Sequence, residues 1–183
     1  MPPFFLDNTY TIDYYCSMEI YHGSDVAVPK PQILPANRFL DFGEGFYTTF
    51  AYEQARRWAL LVSKKKKSPG KIISVYEFEM DKAVKELKIR RFDSPDSGWL
   101  HFVTDCRSGK GMNHGYDVVM GPVANDNVYA TIQLFETGLL SEAETLLRLK
   151  VEKIYNQILF HTGQVLKYCT YLRHEDAGEG ISG

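Results

Sequence analysis

The sequence lacks any long apolar run. No stretch of its 183 residues approaches the ~20 apolar residues that a membrane-spanning helix needs. The N-terminal segment also lacks the basic and then apolar regions of a signal peptide. We therefore expect a cytoplasmic protein with no membrane partner.

Cysteine is scarce as well. Cys16, Cys106 and Cys169 lie far apart, are odd in number and form no Cys-x-x-Cys pair. This spacing indicates neither a disulfide framework nor a zinc site. Four of the five histidines likewise show no ligand spacing with one another or with cysteine. We expect buried thiols in a reducing compartment and no bound metal.

The chain also has little excess of either charge. Its 21 Lys and Arg residues nearly balance 23 Asp and Glu residues, for a formal net charge of −2. No global basic field attracts nucleic acid through counterion release, so charge neither predicts nor excludes a nucleic-acid target. The one basic run, Lys64 to Lys67, is typical of a solvated helix C-terminus, where lysines suit the helix dipole.

What is abundant is the material of a packed core. Hydrophobic residues make up 44% of the chain and aromatic residues 14%, which favours a well-packed globule over a disordered chain. Chain length and the absence of a low-complexity linker predict a single domain over residues 1–173. The polar, Gly-rich residues 174–183 are predicted to form a flexible C-terminal tail.

Hydrophobic periodicity predicts a mixed α+β domain, not a regular βαβ alternation. Helices are expected from Ala51 with Thr49 as N-cap, after Asp96 or Ser97, over 125–135, and after the capping box at Ser141 and Glu144. Strands are expected over 18–21, 72–79, 87–92, 116–121 and 154–160, the fourth ended by Gly-Pro.

Common catalytic motifs are absent, including the P-loop, the Gly-x-Gly-x-x-Gly fingerprint, the His-Glu-x-x-His helix and the nucleophile elbow. What remains is a set of polar residues at predicted strand ends. The first is Tyr21-His22-Gly23-Ser24, and the second is Asp41-Phe42-Gly43 followed by Gly45-Phe46-Tyr47-Thr48-Thr49. The third is Gln157 on the late strand.

These segments resemble, in order and in content, the three motifs of the His-Tyr-Glu class of ADP-ribosyltransferases. The stretches 117–127 and 156–162 also look like a bacterial family of about this length, DUF3990, which is grouped with the same fold. The resemblance covers nearly the whole chain. It implies an ADP-ribosyltransferase-like split β-sheet core with flanking helices, and NAD as the substrate.

The resemblance also implies roles for single residues. The catalytic residues would be His22, Tyr47 and Gln157. Six residues would bind NAD, namely His22, Gly23, Ser24, Gly45, Tyr47 and Thr48. The residue types suit that ligand, because Gly23 has no Cβ to block a carboxamide and Tyr47 offers a ring for nicotinamide, worth ~1 kcal/mol.

Strand periodicity places Gln157 on one face with Tyr155, Leu159 and His161, and places Ile154, Ile158 and Phe160 mostly on the core side. The amide can therefore face the cleft and bind the nicotinamide ribose while the glycosidic bond breaks through an oxocarbenium-like state. The alternative interpretation is that Gln157 only satisfies backbone groups near a sheet edge.

Most polymer-forming relatives carry Glu where this chain has Gln157, so we expect transfer of a single ADP-ribose and no chain elongation. The missing negative charge is expected from Asp126, Glu77 or the acceptor. Asn125 and Asp126 are candidates for the acceptor side, although Asp126 and Asn127 suit helix capping equally well.

The main hypothesis is thus a mono-ADP-ribosyltransferase, acting as a bacterial toxin or regulator on a protein or nucleic-acid acceptor, with an antitoxin-like protein as a further partner. The alternative is a catalytically silent module that binds NAD, ADP-ribose or a partner protein. RNA phosphate transfer on the same fold is disfavoured, because the sequence shows no cationic cluster for such a cleft.

Overall fold

The architecture is known from a computed structural model, which describes residues 17–35, 40–111, 113–123, 126–150 and 155–178. Its strands are β1 Met18–Ser24, β2 Phe46–Thr48, β3 Ile72–Phe78, β4 Ile89–Arg91, β5 Val118–Val123, β6 Tyr155–Phe160 and β7 Cys169–Asp176. Its α-helices are α1 Tyr52–Lys66, α2 Met80–Glu86, α3 Ser97–Arg107, α4 Asp126–Glu136 and α5 Glu142–Leu149, and a 3₁₀ helix spans Gly163–Tyr168.

The strands form two separate sheets. One has the antiparallel order β1-β3-β7, and the other has the order β2-β6-β5-β4, in which only β4 and β5 run parallel. The sheets meet where Tyr21 and Thr49 exchange backbone hydrogen bonds of 2.9 and 3.0 Å. The predicted α+β class, with a β core split into two sheets and flanked by helices, is confirmed.

The central strands of the second sheet, β5 and β6, are buried on both faces. Ile158 and Phe160 of β6 pack with Ile20 and Phe78 of the first sheet, whereas Leu159 packs with Trp99 in a cluster beneath α3 and α4. Side chains that alternate across a strand therefore enter two different cores. The core side predicted for Ile158 and Phe160 is confirmed, while residue 154 lies outside the described residues.

Several helix and strand ends follow local sequence signals. The Asp96 carboxylate caps α3 by accepting from Trp99 N at 2.8 Å, the capping box of Ser141 and Glu144 opens α5, and the lysine run closes α1. Thr49 as N-cap of α1 is wrong. Ala51 holds that position, and the Thr49 hydroxyl donates instead to the Asn156 carbonyl at 2.9 Å.

The predicted end of the fourth strand also needs correction. Strand β5 continues through Gly121 and Pro122 to Val123, where Gly-Pro was expected to stop it. Both residues serve packing, because Gly121 lies against Phe92 and the Pro122 carbonyl accepts from Trp99 Nε1 at 2.8 Å.

The chain beyond His174 does not begin a frayed tail. Strand β7 pairs with β3 as far as Asp176, and buried Ala177 donates its N–H to the Lys71 carbonyl at 2.7 Å. The boundary predicted at residue 173 is therefore wrong for residues 174–177, while 179–183 lie outside the described part. Edge strand β7 is largely exposed, so its polar residues carry no hydrophobic pattern.

None of the described helices has the length and apolar character that crossing a membrane requires.

Candidate functional site

A cavity of about 840 Å³ lies where β1 of the first sheet approaches β2 and β6 of the second. This volume falls in the range of small-molecule sites. Its walls include seven of the residues that the sequence predicted to form a site, namely His22, Gly23, Ser24, Gly45, Tyr47, Thr48 and Gln157. Residue 125 and the side chain of Asp126, the first residue of α4, lie outside what is described.

Gly23 brings β1 against α1. A Cβ built on Gly23 would lie 2.1 Å from the Ala55 carbonyl oxygen and 2.8 Å from the Ala59 nitrogen. The space that a side chain would occupy is therefore filled by the helix, not left open to a ligand. The sequence expectation that Gly23 is needed for close approach of a carboxamide gives the wrong reason for this glycine.

His22 is held in one orientation inside β1, not at its end. Its Nδ1 lies 2.7 Å from the Tyr47 carbonyl oxygen, and its ring stacks on Phe46 at 4.4 Å. Because a carbonyl only accepts, Nδ1 carries the proton and Nε2 is an acceptor in the neutral ring. Burial lowers the pKa of His22 below its ordinary value, which keeps the ring neutral at pH 7. An acceptor of this kind suits a ribose hydroxyl.

Tyr47 lies on β2 with its hydroxyl already in use. The hydroxyl donates to the Gly43 carbonyl at 2.6 Å and accepts from Phe42 N at 3.3 Å. Tyr47 therefore presents a fixed ring to the cavity, and its phenol proton is committed to the preceding loop. This geometry suits a stacking wall better than a proton donor.

Three consecutive backbone carbonyls of that loop accept hydrogen bonds from ring side chains. We call the three ring side chains, those of His114, Tyr47 and His161, the loop clamp. His114 Nε2 lies 3.1 Å from the Phe42 oxygen, Tyr47 bonds the Gly43 oxygen, and His161 Nδ1 lies 2.7 Å from the Glu44 oxygen. The two imidazoles are 4.3 Å apart. Sequence reasoning missed both histidines, because their partners are backbone carbonyls and no residue spacing reveals such a partner.

The loop clamp predicts that the protein loses stability in mild acid. Burial and the neighbouring His161 lower the pKa of His114, and its Nδ1 accepts from Tyr116 N at 3.2 Å. A histidine whose pKa is lower in the folded state binds protons more readily when unfolded, so stability is complete above the ordinary pKa near 6.5 and declines below it. Next to the pair, the Asp117 carbonyl accepts from His161 N, and the Asp117 carboxylate accepts from the hydroxyl of Thr162, the residue that follows His161.

Urea unfolding between pH 7.5 and 5 measures this decline. We expect the free energy of unfolding of the wild type to decrease as the pH is lowered, and that of His114→Gln to decrease less. The control is His174→Gln, at an exposed position on β7. An unchanged pH slope in His114→Gln would contradict the role given to the clamp.

Gln157 lies on β6 opposite Gly121 of β5 and is half-buried at the cavity wall. The face of β6 that was predicted to border the cleft is only partly accessible, because Leu159 on the same face is fully buried. Glu77, considered as a source of negative charge, lies on β3, is not part of the described cavity lining, and accepts from Ser17, the residue before β1.

Charged side chains reach the cavity from places that the motifs did not indicate. Within the described lining they are Lys30, Asp41 and Arg107. Arg107 Nε and Nη2 lie 2.8 and 2.7 Å from Asp41 Oδ1, and the guanidinium carbon stands 4.4 Å from the centre of the Tyr129 ring. Asp41 was part of a predicted motif, but Arg107 ends a distant helix and only the fold brings it here. Two cations against one carboxylate suit an anionic ligand.

Metal ligands are not grouped in the described part of the chain, where no three His, Cys, Asp or Glu side chains come together to hold an ion. Cys106 and Cys169 are unpaired, and burial raises the pKa of each thiol to about 12. Neither thiol is thereby activated as a nucleophile.

The fold and cavity define a class: a two-sheet α+β protein with a ligand-sized cleft between its sheets. The chain belongs to the DUF3990 family, described as a protein of unknown function, whose family model matches residues 18–171. No curated protein matches the chain.

Proposed function

We propose that this protein binds NAD in the cavity between its sheets and transfers a single ADP-ribose from it to an acceptor. The observation that carries the proposal is the meeting of three distant segments, at His22–Ser24, Gly45–Thr48 and Gln157, around one cavity. The order and content of these segments resemble the motifs of the His-Tyr-Glu class. The positive balance of the described charged lining also favours a dinucleotide, whose pyrophosphate is anionic.

Each of the three side chains has a role in this proposal. The neutral His22 ring accepts from a ribose hydroxyl through Nε2, and the fixed Tyr47 ring forms one wall for nicotinamide. The Gln157 amide binds the nicotinamide ribose. The C1″–N bond breaks and nicotinamide leaves with the bonding electrons, after which an acceptor nucleophile bonds C1″ and loses a proton. Orientation supplies much of the lowering of the barrier.

The test begins with NAD binding measured by calorimetry and nicotinamide release measured with labelled NAD and a cell lysate. His22→Ala is expected to weaken NAD binding about tenfold, since it removes one buried hydrogen bond worth about 1.4 kcal/mol. His101→Ala is the matched control, because His101 is an exposed ring on α3 that bonds Glu142. Equal affinities of His22→Ala and wild type would contradict the role of His22, and no NAD binding by the wild type would contradict the proposal.

A second candidate function is a silent module that binds NAD, ADP-ribose or a partner protein without turnover. It is favoured by the neutral Gln157 and by the pairing of Asp41, the one carboxylate of the described lining, with Arg107. NAD binding without nicotinamide release in any extract would select this candidate. Labelling of a lysate, followed by nuclease or protease treatment, would instead identify a nucleic-acid or protein acceptor, and co-purification would reveal an antitoxin-like partner.

A further inference from the structure

One guanidinium nitrogen of Arg107 has no partner among the described residues. Its side chain is 13% exposed and lines the cavity, with Nε and Nη2 both directed to Asp41 Oδ1. Its Nη1 is buried and has no hydrogen-bond partner among the described residues. Leaving a charged donor unsatisfied in a protein interior is costly, and such groups are retained mainly where a ligand or ion completes them.

The guanidinium is also held in a fixed plane. Asp41 fixes one edge of it, and the Tyr129 ring covers one face at 4.4 Å. A planar, permanently charged fork matches the oxygens of a phosphate better than a flexible ammonium does. Lys30, the other cation of the described lining, is exposed and lies on the connection after β1. Arg107 is thus the more rigid of the two cations that face the cavity.

We propose that Arg107 is the pyrophosphate-recognition residue of the cleft, with Asp41 and Tyr129 as the residues that position it. The inference rests on the proposed function. In NAD, the pyrophosphate is the only anionic group that a guanidinium can bind. On this account the ligand supplies the partner that Nη1 lacks, while Asp41 offsets the arginine charge when the cavity holds no ligand.

The competing partner for Nη1 is a phosphate on the acceptor. Arg107 and Tyr129 also line a second cavity of about 520 Å³, together with Thr104, Ser108 and Lys110. That cavity is a poorer anion site, because Asp105 and Glu136 line it and α3 and α4 both end there, with the negative ends of their dipoles. The pyrophosphate of the dinucleotide is therefore the favoured partner.

The experiment compares ligands with and without a pyrophosphate on the full chain. Affinities for NAD, ADP-ribose, inorganic pyrophosphate and nicotinamide riboside are measured for the wild type, Arg107→Ala, Arg107→Lys and Arg91→Ala. The last variant is the matched control, because Arg91 is exposed on β4 and its removal changes the net charge equally. Thermal unfolding confirms that each variant is folded, and Arg107→Gln replaces Arg107→Ala if the alanine variant is not.

We expect Arg107→Ala to bind NAD and ADP-ribose about 10- to 100-fold more weakly, as for loss of charge-assisted hydrogen bonds, with nicotinamide riboside changed less than twofold. The affinity of Arg107→Lys for NAD should lie between those of Arg107→Ala and the wild type, and the affinity of Arg91→Ala should equal that of the wild type. Equal losses for nicotinamide riboside and NAD would overturn the inference, as would unchanged NAD affinity with loss of transfer alone. If pyrophosphate and ADP-ribose bound in a way that depends on Arg107 but NAD did not bind at all, the role of Arg107 in pyrophosphate recognition would be supported and the proposed function would be contradicted.

Discussion

Replacing Gly45 with alanine is expected to destabilise the protein by about 3–5 kcal/mol, the sum of backbone strain and overpacking. Gly45 has a φ of 147°, which side-chain-bearing residues rarely adopt. A Cβ there would lie 2.2 Å from the Phe160 carbonyl oxygen and 2.5 Å from Leu159 Cδ1. Neither neighbour can withdraw easily, because both residues belong to buried strand β6. Urea unfolding of the wild type and the variant measures the difference.

Two other glycines separate the strain from the overpacking. Gly138 has a φ of 73°, and a Cβ there would meet open space. Gly138→Ala should therefore lower the free energy of unfolding by about 1–2 kcal/mol through backbone conformation alone. Gly163→Ala has open space without the positive φ and should be nearly neutral. If Gly45→Ala lost no more stability than Gly138→Ala, β6 would have to yield at this point, and the rigid wall described for the cavity would be wrong.

The same glycine illustrates what the sequence can predict. The motif that contains Gly45 predicted a place for it in the NAD site, and Gly45 does line the cavity, with positive φ both there and at Gly43. The tight contact with Phe160 comes from a strand more than 100 residues later in the chain, and no local pattern reveals it. Sequence therefore identified the position, and tertiary packing gives the reason for it.

Elements with local signals were predictable and elements without them were not. Helices α3 and α5 begin at capping residues whose partners lie three residues away, so their starts could be predicted from the sequence. Strand β7 has an exposed, polar pattern and depends on β3 for its hydrogen bonds. Helix α2 and strand β2 were also missed, since each is short and follows the surrounding packing.

The candidate site divides in the same way. The motifs predicted the residues that the two sheets contribute to the cavity lining, because their residue types and their order in the chain resemble those of a known family. Arg107 and the histidines of the loop clamp act through Asp41 and through backbone carbonyls, partners that are far away in sequence. Long-range pairs of this kind require the fold.

Gln157→Glu is expected to speed nicotinamide release about 100-fold, if the protein has the transferase chemistry that we propose. A carboxylate beside the nicotinamide ribose would stabilise the positive charge that develops as the glycosidic bond breaks, and removing one such electrostatic partner costs enzymes about 10²–10³ in rate. Asp41 does not supply this charge in the wild type, because Arg107 pairs with it. Release of labelled nicotinamide at saturating NAD measures the rate.

Gln54→Glu provides a matched control, because Gln54 lines the same cavity and its side-chain amide lies 2.8 Å from the Thr49 hydroxyl oxygen. It adds the same negative charge to the cavity from α1, away from the β6 position that the resemblance marks as catalytic. A general effect of charge would speed both variants alike, whereas a specific effect on the forming cation requires the carboxylate on β6. Equal rates in the two variants would therefore remove Gln157 from the reacting centre, even if NAD still bound to both.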